Sequence, residues 1–379
     1  MAFVVLNFAG AESGDLTEFT GYEGNVTADS TTKRTGGYSI RFNNAAGEAA
    51  DAWIHKPATT GVVGATSVNV DPCYHRFYLR VATAPSAGQN PATFYIPTYS
   101  TIAGKCSYQL DSNRKIRLYD SGDSLVATST TVLSLNTWYL IEIKSSNGSD
   151  SAYELRINGT TEFSGTCNQA SANTSGARLG ITGGHAESLD FYIDDWAIGS
   201  GDWLGPGACL GMAPDGNGTY TDWAGGTNPF DYTVVDENPP NDTDYVMCGT
   251  TAADMAETYT LQSCATVGIS GTINAFKAGV RTRENATGTT ANSIRIRSNT
   301  TDSDSATLNG TTTPVSRYIV KATDPATSAA WTTSGLDAVE IGSVETSQVK
   351  TRMTWVRGFV DFTAPMGSAV PTLIASGRI

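Results

Sequence analysis

The sequence predicts an all-β chain of two consecutive antiparallel β-sandwich domains of jelly-roll type. Three observations predict it. Two-residue alternation of apolar and polar side chains recurs along the whole length, whereas the 3.6-residue repeat of an amphipathic helix is almost absent. Turn residues separate the alternating runs, in keeping with 39 glycines and 14 prolines among 379 residues. Aromatic residues make up 9% of the chain and are spread along it, which argues for folded cores and against disorder.

The runs follow one another in order. Tyr38, Ile40 and Phe42 share one face of the first clear strand, and Phe77, Leu79 and Val81 share one face of the second. Ile116 and Leu118 alternate before a turn at Ser121-Gly122-Asp123, and Leu125-Val126-Ala127 returns from it as a hairpin. A strand opens at Trp138 and continues through Lys144. After a polar turn over 145–150, Tyr153, Leu155 and Ile157 alternate with Glu154, Arg156 and Asn158. Asn158-Gly159 suits a two-residue turn because both residues tolerate positive φ, and Thr161-Glu162-Phe163 returns from it. A last strand over 189–198 closes the first half. The glycine-rich stretch 199–207, with Pro206, marks a boundary, giving domains over 1–203 and 204–379. The second half restarts at the turn-rich 215–220 and Trp223. Strands are expected over 257–261, 273–283, 293–297, 317–321 and 353–362, with a less regular alternation over 336–345.

Charge and cysteine usage exclude several function classes. The formal net charge is −13, so the surface repels phosphate backbones and nucleic-acid binding is disfavoured. The closest approaches to a basic cluster, Arg281/Arg283 and Arg295/Arg297, fall at strand spacing and read as a solvated sheet face. No run approaches the ~20 apolar residues of a membrane span. The N-terminal MAFVVLNFAG lacks the basic region and cleavage site of a secretory signal, so synthesis in a cytoplasm is expected. Cys73, Cys106, Cys167, Cys209, Cys248 and Cys264 form no CxxC pair, and with three histidines there is no zinc spacing. Buried free thiols are the expectation, with Cys248 and Cys264 the pair that a hairpin could bring together.

Residues 1 to about 200 resemble the laminin-G-like, concanavalin-A-like jelly-roll family. The resemblance is carried by Gly37-Tyr38-Ser39-Ile40-Arg41-Phe42, Thr137-Trp138-Tyr139-Leu140-Ile141-Glu142-Ile143, the Tyr153 to Gly159 hairpin, and Phe191-Tyr192-Ile193-Asp194-Asp195-Trp196. Residues about 205 to 365 resemble a domain of tailed-bacteriophage virion proteins. There the carriers are Gly216-Asn217-Gly218-Thr219-Tyr220-Thr221-Asp222-Trp223, the stretch from Val235 through the acidic loop to Val246, Ala278 to Arg283, Thr323 to Thr327 before Trp331, and Leu336 to Gly342. This second resemblance implies a virion surface component.

The jelly-roll resemblance raises three chemistries. Glycosidases of that group need two carboxylates on one strand face. Glu340-Ile341-Gly342-Ser343-Val344-Glu345 superficially offers them, but Gly342 stands where an Asp would sit between them, so no catalytic centre is expected. Calcium at a rim would draw on Asp194 or Asp195, but the six to eight oxygens it needs are not in view. A carboxylate capping a turn or holding a backbone amide is the preferred reading, with a structural calcium as the alternative and no other cofactor. The acidic loop Asp236 to Asp244 reads as a rigid turn rather than a cation site. His55, His75 and His185 are far apart and no GxSxG elbow exists, so no serine triad is supported; His75 and His185 read as surface histidines. Trp138 and Trp196 fall in strands matching the family's core pattern and are expected to be buried. Trp53 is the aromatic left for a sugar.

The function expected from the sequence is therefore a non-enzymatic component of a phage exterior, capsid decoration or head fibre, with a jelly roll presented to host or environmental glycans. Other virion subunits and further copies of the chain are its expected partners, without nucleic acid or membrane. A tail-associated host-binding adhesin and a free lectin-like protein are the alternatives.

Overall fold

The computed structural model describes residues 3–19, 21–44, 50–54, 71–85, 92–95, 106–169, 177–181, 189–248, 254–285, 291–346 and 350–364. The chain is all-β, its sheets antiparallel, as the alternation predicts. The described helices are a 3₁₀ turn at Tyr232–Val234 and single turns at Cys264–Val267 and Thr333–Leu336. Two compact units divide it. The second begins at Ala208 and also takes in Glu12–Glu18, a short excursion from the N-terminal part of the chain. Nothing in the domain boundaries read from sequence, 1–203 and 204–379, signals that excursion.

The first unit is a sandwich of two large sheets. One runs edge to edge through Thr160–Cys167, Ser151–Ile157, Trp138–Ser145, Cys73–Thr83, Leu189–Ser200, Ser39–Asn44 and Val26–Asp29, with Val4–Ala9 also pairing Leu189–Ser200. The other runs through Leu125–Thr128, Ile116–Tyr119, Ser107–Leu110, Ala92–Tyr95, Ala177–Ile181, Ala50–Ile54 and Gly21–Gly24. The alternation read from sequence supplies the core: Ile40, Phe42, Phe77, Leu79, Val81, Ile116, Leu118, Leu155, Ile157, Phe191 and Ile193 are all buried. Phe42 and Phe191, directly paired across their strands, stack with ring centroids 4.7 Å apart. Asn158, at φ 50°, and Gly159, at φ 78°, make the tight turn expected of them.

Register decides what the pattern leaves open. Tyr192 and Asp194 share one phase of the long Leu189–Ser200 strand, so an unbroken strand would send Trp196 to their face. A bulge intervenes between Asp194 and Ala197, with Asp195 at φ 52°. The extra residue re-aims Trp196 into the core, where it is fully buried near Phe19. Trp138 has no such correction. It shares the phase of Leu140 and Glu142, opposite to the core residues Ile141 and Ile143, and it is half-buried on the outer face. The expectation of a core Trp138 is overturned for that reason.

The second unit is also built of two sheets. One contains Gly225–Gly226, Val246–Met247, Thr351–Thr363, Thr272–Glu284 and Val315–Lys321, with Ala208–Met212 joined to Thr351–Thr363. The other contains Pro214–Thr221, Met255–Leu261, Val339–Glu345, Ala291–Ser298 and Thr301–Asp304, with Leu308–Asn309 joined to Ala291–Ser298. Its core includes Trp223, Tyr259, Phe276, Ile294, Ile296, Trp331, Ile341, Val356 and Phe362. Lys277 is buried in this unit 3.9 Å from Glu18, with the rings of Tyr318 and Phe359 each 5.1 Å from its ammonium. Burial lowers the Lys277 pKa, and the Glu18 carboxylate opposes that shift.

Candidate functional site: an arginine and tryptophan row on an open sheet face

The outer face of the first unit's larger sheet divides into a covered part and an open part. The covered part lies under the chain that leads out of the Leu189–Ser200 strand. Gly205 N donates to Glu142 Oε1 at 2.9 Å, and Gly207 lies so close on Arg76 that a Cβ there would collide with the guanidinium. Trp203 packs edge-on against Tyr74, at 5.3 Å between centroids, and the Arg156 guanidinium lies 3.8 Å from the Trp203 ring centroid. This cover leaves Arg76 and Glu142 buried directly opposite each other. Burial raises the Glu142 pKa, and the Gly205 hydrogen bond works against it.

The open part is a straight row across five strands. Thr27 pairs with Arg41, Arg41 with Tyr192, Tyr192 with Arg80, and Arg80 with Trp138. At the ordinary strand spacing the row spans about 19 Å. Tyr192 is only 6% exposed, so its ring is a support rather than a contact surface. Arg41 and Arg80 lie over that ring, at 5.5 and 5.4 Å from its centroid. Thr27 is exposed, and Arg41, Arg80 and Trp138 are partly so.

The two arginines differ in what they have left to give. Arg41 makes a two-pronged pair with Asp190, Nε to Oδ1 at 3.0 Å and Nη2 to Oδ2 at 2.9 Å. That hydrogen-bonded carboxylate raises the Arg41 pKa still further above its ordinary value. Arg80 has no carboxylate within ion-pair distance among the described residues. Its planar fork of N–H groups is thus held by the Tyr192 ring yet unspent on any acid among the described residues. Such a fork matches a carboxylate geometrically, and the neighbouring indole offers an electron-rich face to weakly positive C–H groups.

A comparable face in the second unit is closed. Arg295 pairs with Asp304 at 2.8 and 2.7 Å, and Arg297 with Asp302 at 2.6 Å. Tyr220 lies over both guanidiniums, its hydroxyl donating to Asp302 at 2.6 Å. These arginines read from sequence as a solvated sheet face, and each is paired with an Asp beside it. Arg281 is likewise paired, with Asp242.

The remaining sequence candidates are accounted for by structure. Glu340 and Glu345 do not form a pair: five residues apart on one strand, they point to opposite faces. Glu340 accepts from Thr219 and Thr258, and the buried Glu345 from Thr351 N. Asp194 accepts the backbone N–H of Arg34 and of Thr35 at 2.8 and 3.2 Å. Asp195 accepts from Arg34 Nη1 and the Thr35 hydroxyl, both at 2.6 Å. Together they hold one loop through the Arg34 and Thr35 amides, the Thr35 hydroxyl and the Arg34 guanidinium. Among the described residues no group of three or more His, Cys, Asp or Glu is placed to hold a metal ion. In the acidic loop, Asp242 accepts from Thr354 as well as Arg281, and the Glu237 carbonyl accepts from Trp355 Nε1. Burial raises the Glu237 pKa to about 7.

His75 corrects its sequence reading. It shares the inward phase of Phe77 and Leu79, is 1% exposed, and is held neutral by burial, its pKa lowered to about 3. His55, His185 and the side chain of Trp53 lie outside the described residues. All six cysteines are free; Cys248 and Cys264 are both buried and unbridged. Arg41, Arg80 and Tyr192 escaped the sequence reading. Arg41 and Arg80 do stand in the outward phase between core residues, but only cross-strand register puts them on one tyrosine.

No protein-family model and no curated protein matches the chain. Solved structures that resemble part of it include an endo-β-1,4-glucuronan lyase from the fungus Trichoderma reesei. It is 11% identical over 52% of this chain and 96% of its own, with a TM-score of 0.39. A carbohydrate esterase from the Shiga toxin-encoding bacteriophage phi24B is 15% identical over 53% of this chain and 100% of its own, at 0.37. Domain 4 of an extracellular arabinanase from Geobacillus stearothermophilus, in complex with arabinotriose, is 13% identical over 53% and 94%, also at 0.37.

Proposed function

We propose that this is a non-catalytic carbohydrate-binding protein whose first unit takes acidic oligosaccharides on the Arg41–Tyr192–Arg80–Trp138 row. The observation that carries the reading is Arg80: a partly exposed guanidinium propped on an aromatic ring, without a carboxylate partner among the described residues. On a chain of net charge −13, such a donor selects for one local anionic group rather than for a polyanion at large. A sugar carboxylate would take the Arg80 fork, and the adjoining ring would rest against Trp138. The row's length suits a short oligosaccharide better than a single sugar.

We place this activity on a virion exterior, as capsid decoration or head fibre, on the strength of the sequence resemblance of residues about 205 to 365. Sandwich units with loops at both ends suit an exposed particle component.

The test is equilibrium binding of the full chain to matched pairs of uronic-acid-containing and neutral oligosaccharides. Preference for the acidic member, lost about tenfold or more in Arg80→Ala, is the expected result; a charge-assisted hydrogen bond is worth about 1.5–3 kcal/mol. Binding that ignores both sugar charge and Arg80 overturns the site. Antibody-gold labelling of purified particles tests the location. Label over the capsid supports it, label at the tail tip makes the protein an adhesin, and unlabelled particles leave a free lectin.

A further inference from the structure

One pair of side chains outside the candidate site is poised for covalent chemistry. Cys106 immediately precedes the Ser107–Leu110 strand of the smaller sheet, and Cys167 ends the Thr160–Cys167 edge strand of the larger one. Their sulfurs are 3.9 Å apart. The same two segments are tied at neighbouring points. Cys106 Sγ donates to Asn168 O at 3.3 Å, Ser121 N donates to the same carbonyl at 2.9 Å, and Tyr108 stacks on Phe163 at 6.4 Å. The approach is thus built into the packing of the two sheets. Every other described cysteine is engaged elsewhere. Cys73 meets His75, Cys209 meets Asp361, and Cys264 meets the Thr333 carbonyl. Cys248 is buried, its N–H donating to Thr351 O.

We propose that Cys106 and Cys167 are a disulfide-forming pair that staples the two sheets of the first unit once the protein meets an oxidised small-molecule disulfide such as glutathione disulfide. Cys167 is the entry point because it is partly exposed, whereas Cys106 is fully buried. The Cys106 thiol beside it also lowers the Cys167 pKa, favouring the attacking thiolate. The Cys167 thiolate attacks one sulfur of the small disulfide, forming a mixed disulfide and expelling one small thiolate. Cys106 then gives up its proton to that thiolate and attacks the Cys167 sulfur, closing the protein bond and expelling a second small thiolate, which takes a proton from water. Two protein thiols are oxidised and one small disulfide is reduced to two thiols. Closure needs the sulfurs to move from 3.9 Å to about 2.05 Å.

The bond would close a long loop and so restrict the unfolded chain, raising the melting temperature of the first unit by about 10 °C. The full chain is incubated with reduced or oxidised glutathione, denatured with free thiols blocked, and digested with trypsin. The expected result is six blocked thiols in the reduced sample and four in the oxidised one. Peptides 106–114 and 157–178 should be joined at two hydrogens less than their summed mass, and the melting temperature raised. Cys167→Ser, at the partly exposed position, should melt as the reduced protein does and gain nothing from oxidation. Six free thiols after oxidation, a persistent glutathione adduct on Cys167, or a different linked pair overturns the proposal. The peptide map of the unmutated chain decides it even if the variant folds poorly.

Discussion

Replacing Glu257 by Gln should stabilise the second unit near neutral pH. Glu257 lies on the Met255–Leu261 strand and is 1% exposed. Its Oε2 accepts from Trp223 N at 3.0 Å, and Tyr259 lies two residues on in the same strand. Burial raises the Glu257 pKa to about 8. The Trp223 and Tyr259 groups oppose that shift, and the Asp222 charge adds to it. The folded carboxyl therefore keeps its proton up to about pH 8, while the unfolded one releases it near 4.5. Between those values the native state binds more protons than the unfolded state, so stability falls as pH rises, by at most about 1.4 kcal/mol per pH unit. At pH 7 the accumulated cost is about 3 kcal/mol as an upper bound. Gln keeps an acceptor for Trp223 N and has no proton to lose. The variant should gain about 2 kcal/mol at pH 7 and nothing near pH 4.5, flattening the profile. Hydrogen exchange of the amides in that strand, read across denaturant at pH 4.5, 6, 7 and 8, isolates the second unit in the full chain. Parallel profiles for the two proteins, or a Gln variant weaker at every pH, would refute the reasoning.

The other predictions concern three further groups. His75 titrates in the opposite sense. Its folded pKa is depressed to about 3, so the first unit should lose up to about 1.4 kcal/mol per pH unit as pH falls from about 6.5 towards 3. His75→Leu should remove that slope in acid denaturation of the first unit. Glu18→Ala leaves the Lys277 ammonium buried without its carboxylate and should cost about 3–5 kcal/mol, seen as early melting of the second unit. The double change Glu18→Gln with Lys277→Met should recover most of that loss. At the proposed sugar row, Trp138→Ala should weaken oligosaccharide binding with little change in melting, because the ring is half-buried on the outer face and no part of the core. Binding of acidic sugars should also weaken with added salt, as surface charge contacts do, while binding through Trp138 should not.

What the sequence determined by itself was the alternation. Phe77, Leu79, Val81, Leu155 and Ile157 occupy the core because a strand sends every second side chain to the same face, a rule local to a few residues. The Asn158-Gly159 turn was legible for the same local reason. What only the tertiary structure decided depends on register and on insertions between strands. The bulge at Asp195 turned Trp196 inward, whereas Trp138, without one, stayed outside. His75, by contrast, follows the local rule: its phase is that of Phe77 and Leu79, and it went inside with them. Arg41 and Arg80, 39 positions apart in sequence, meet over Tyr192 only because three strands pair in one register. The same is true of the approach of Cys106 to Cys167. A one-residue slip in any of these pairings would send the side chains to opposite faces, and no local signal in the sequence specifies which partner a strand will choose.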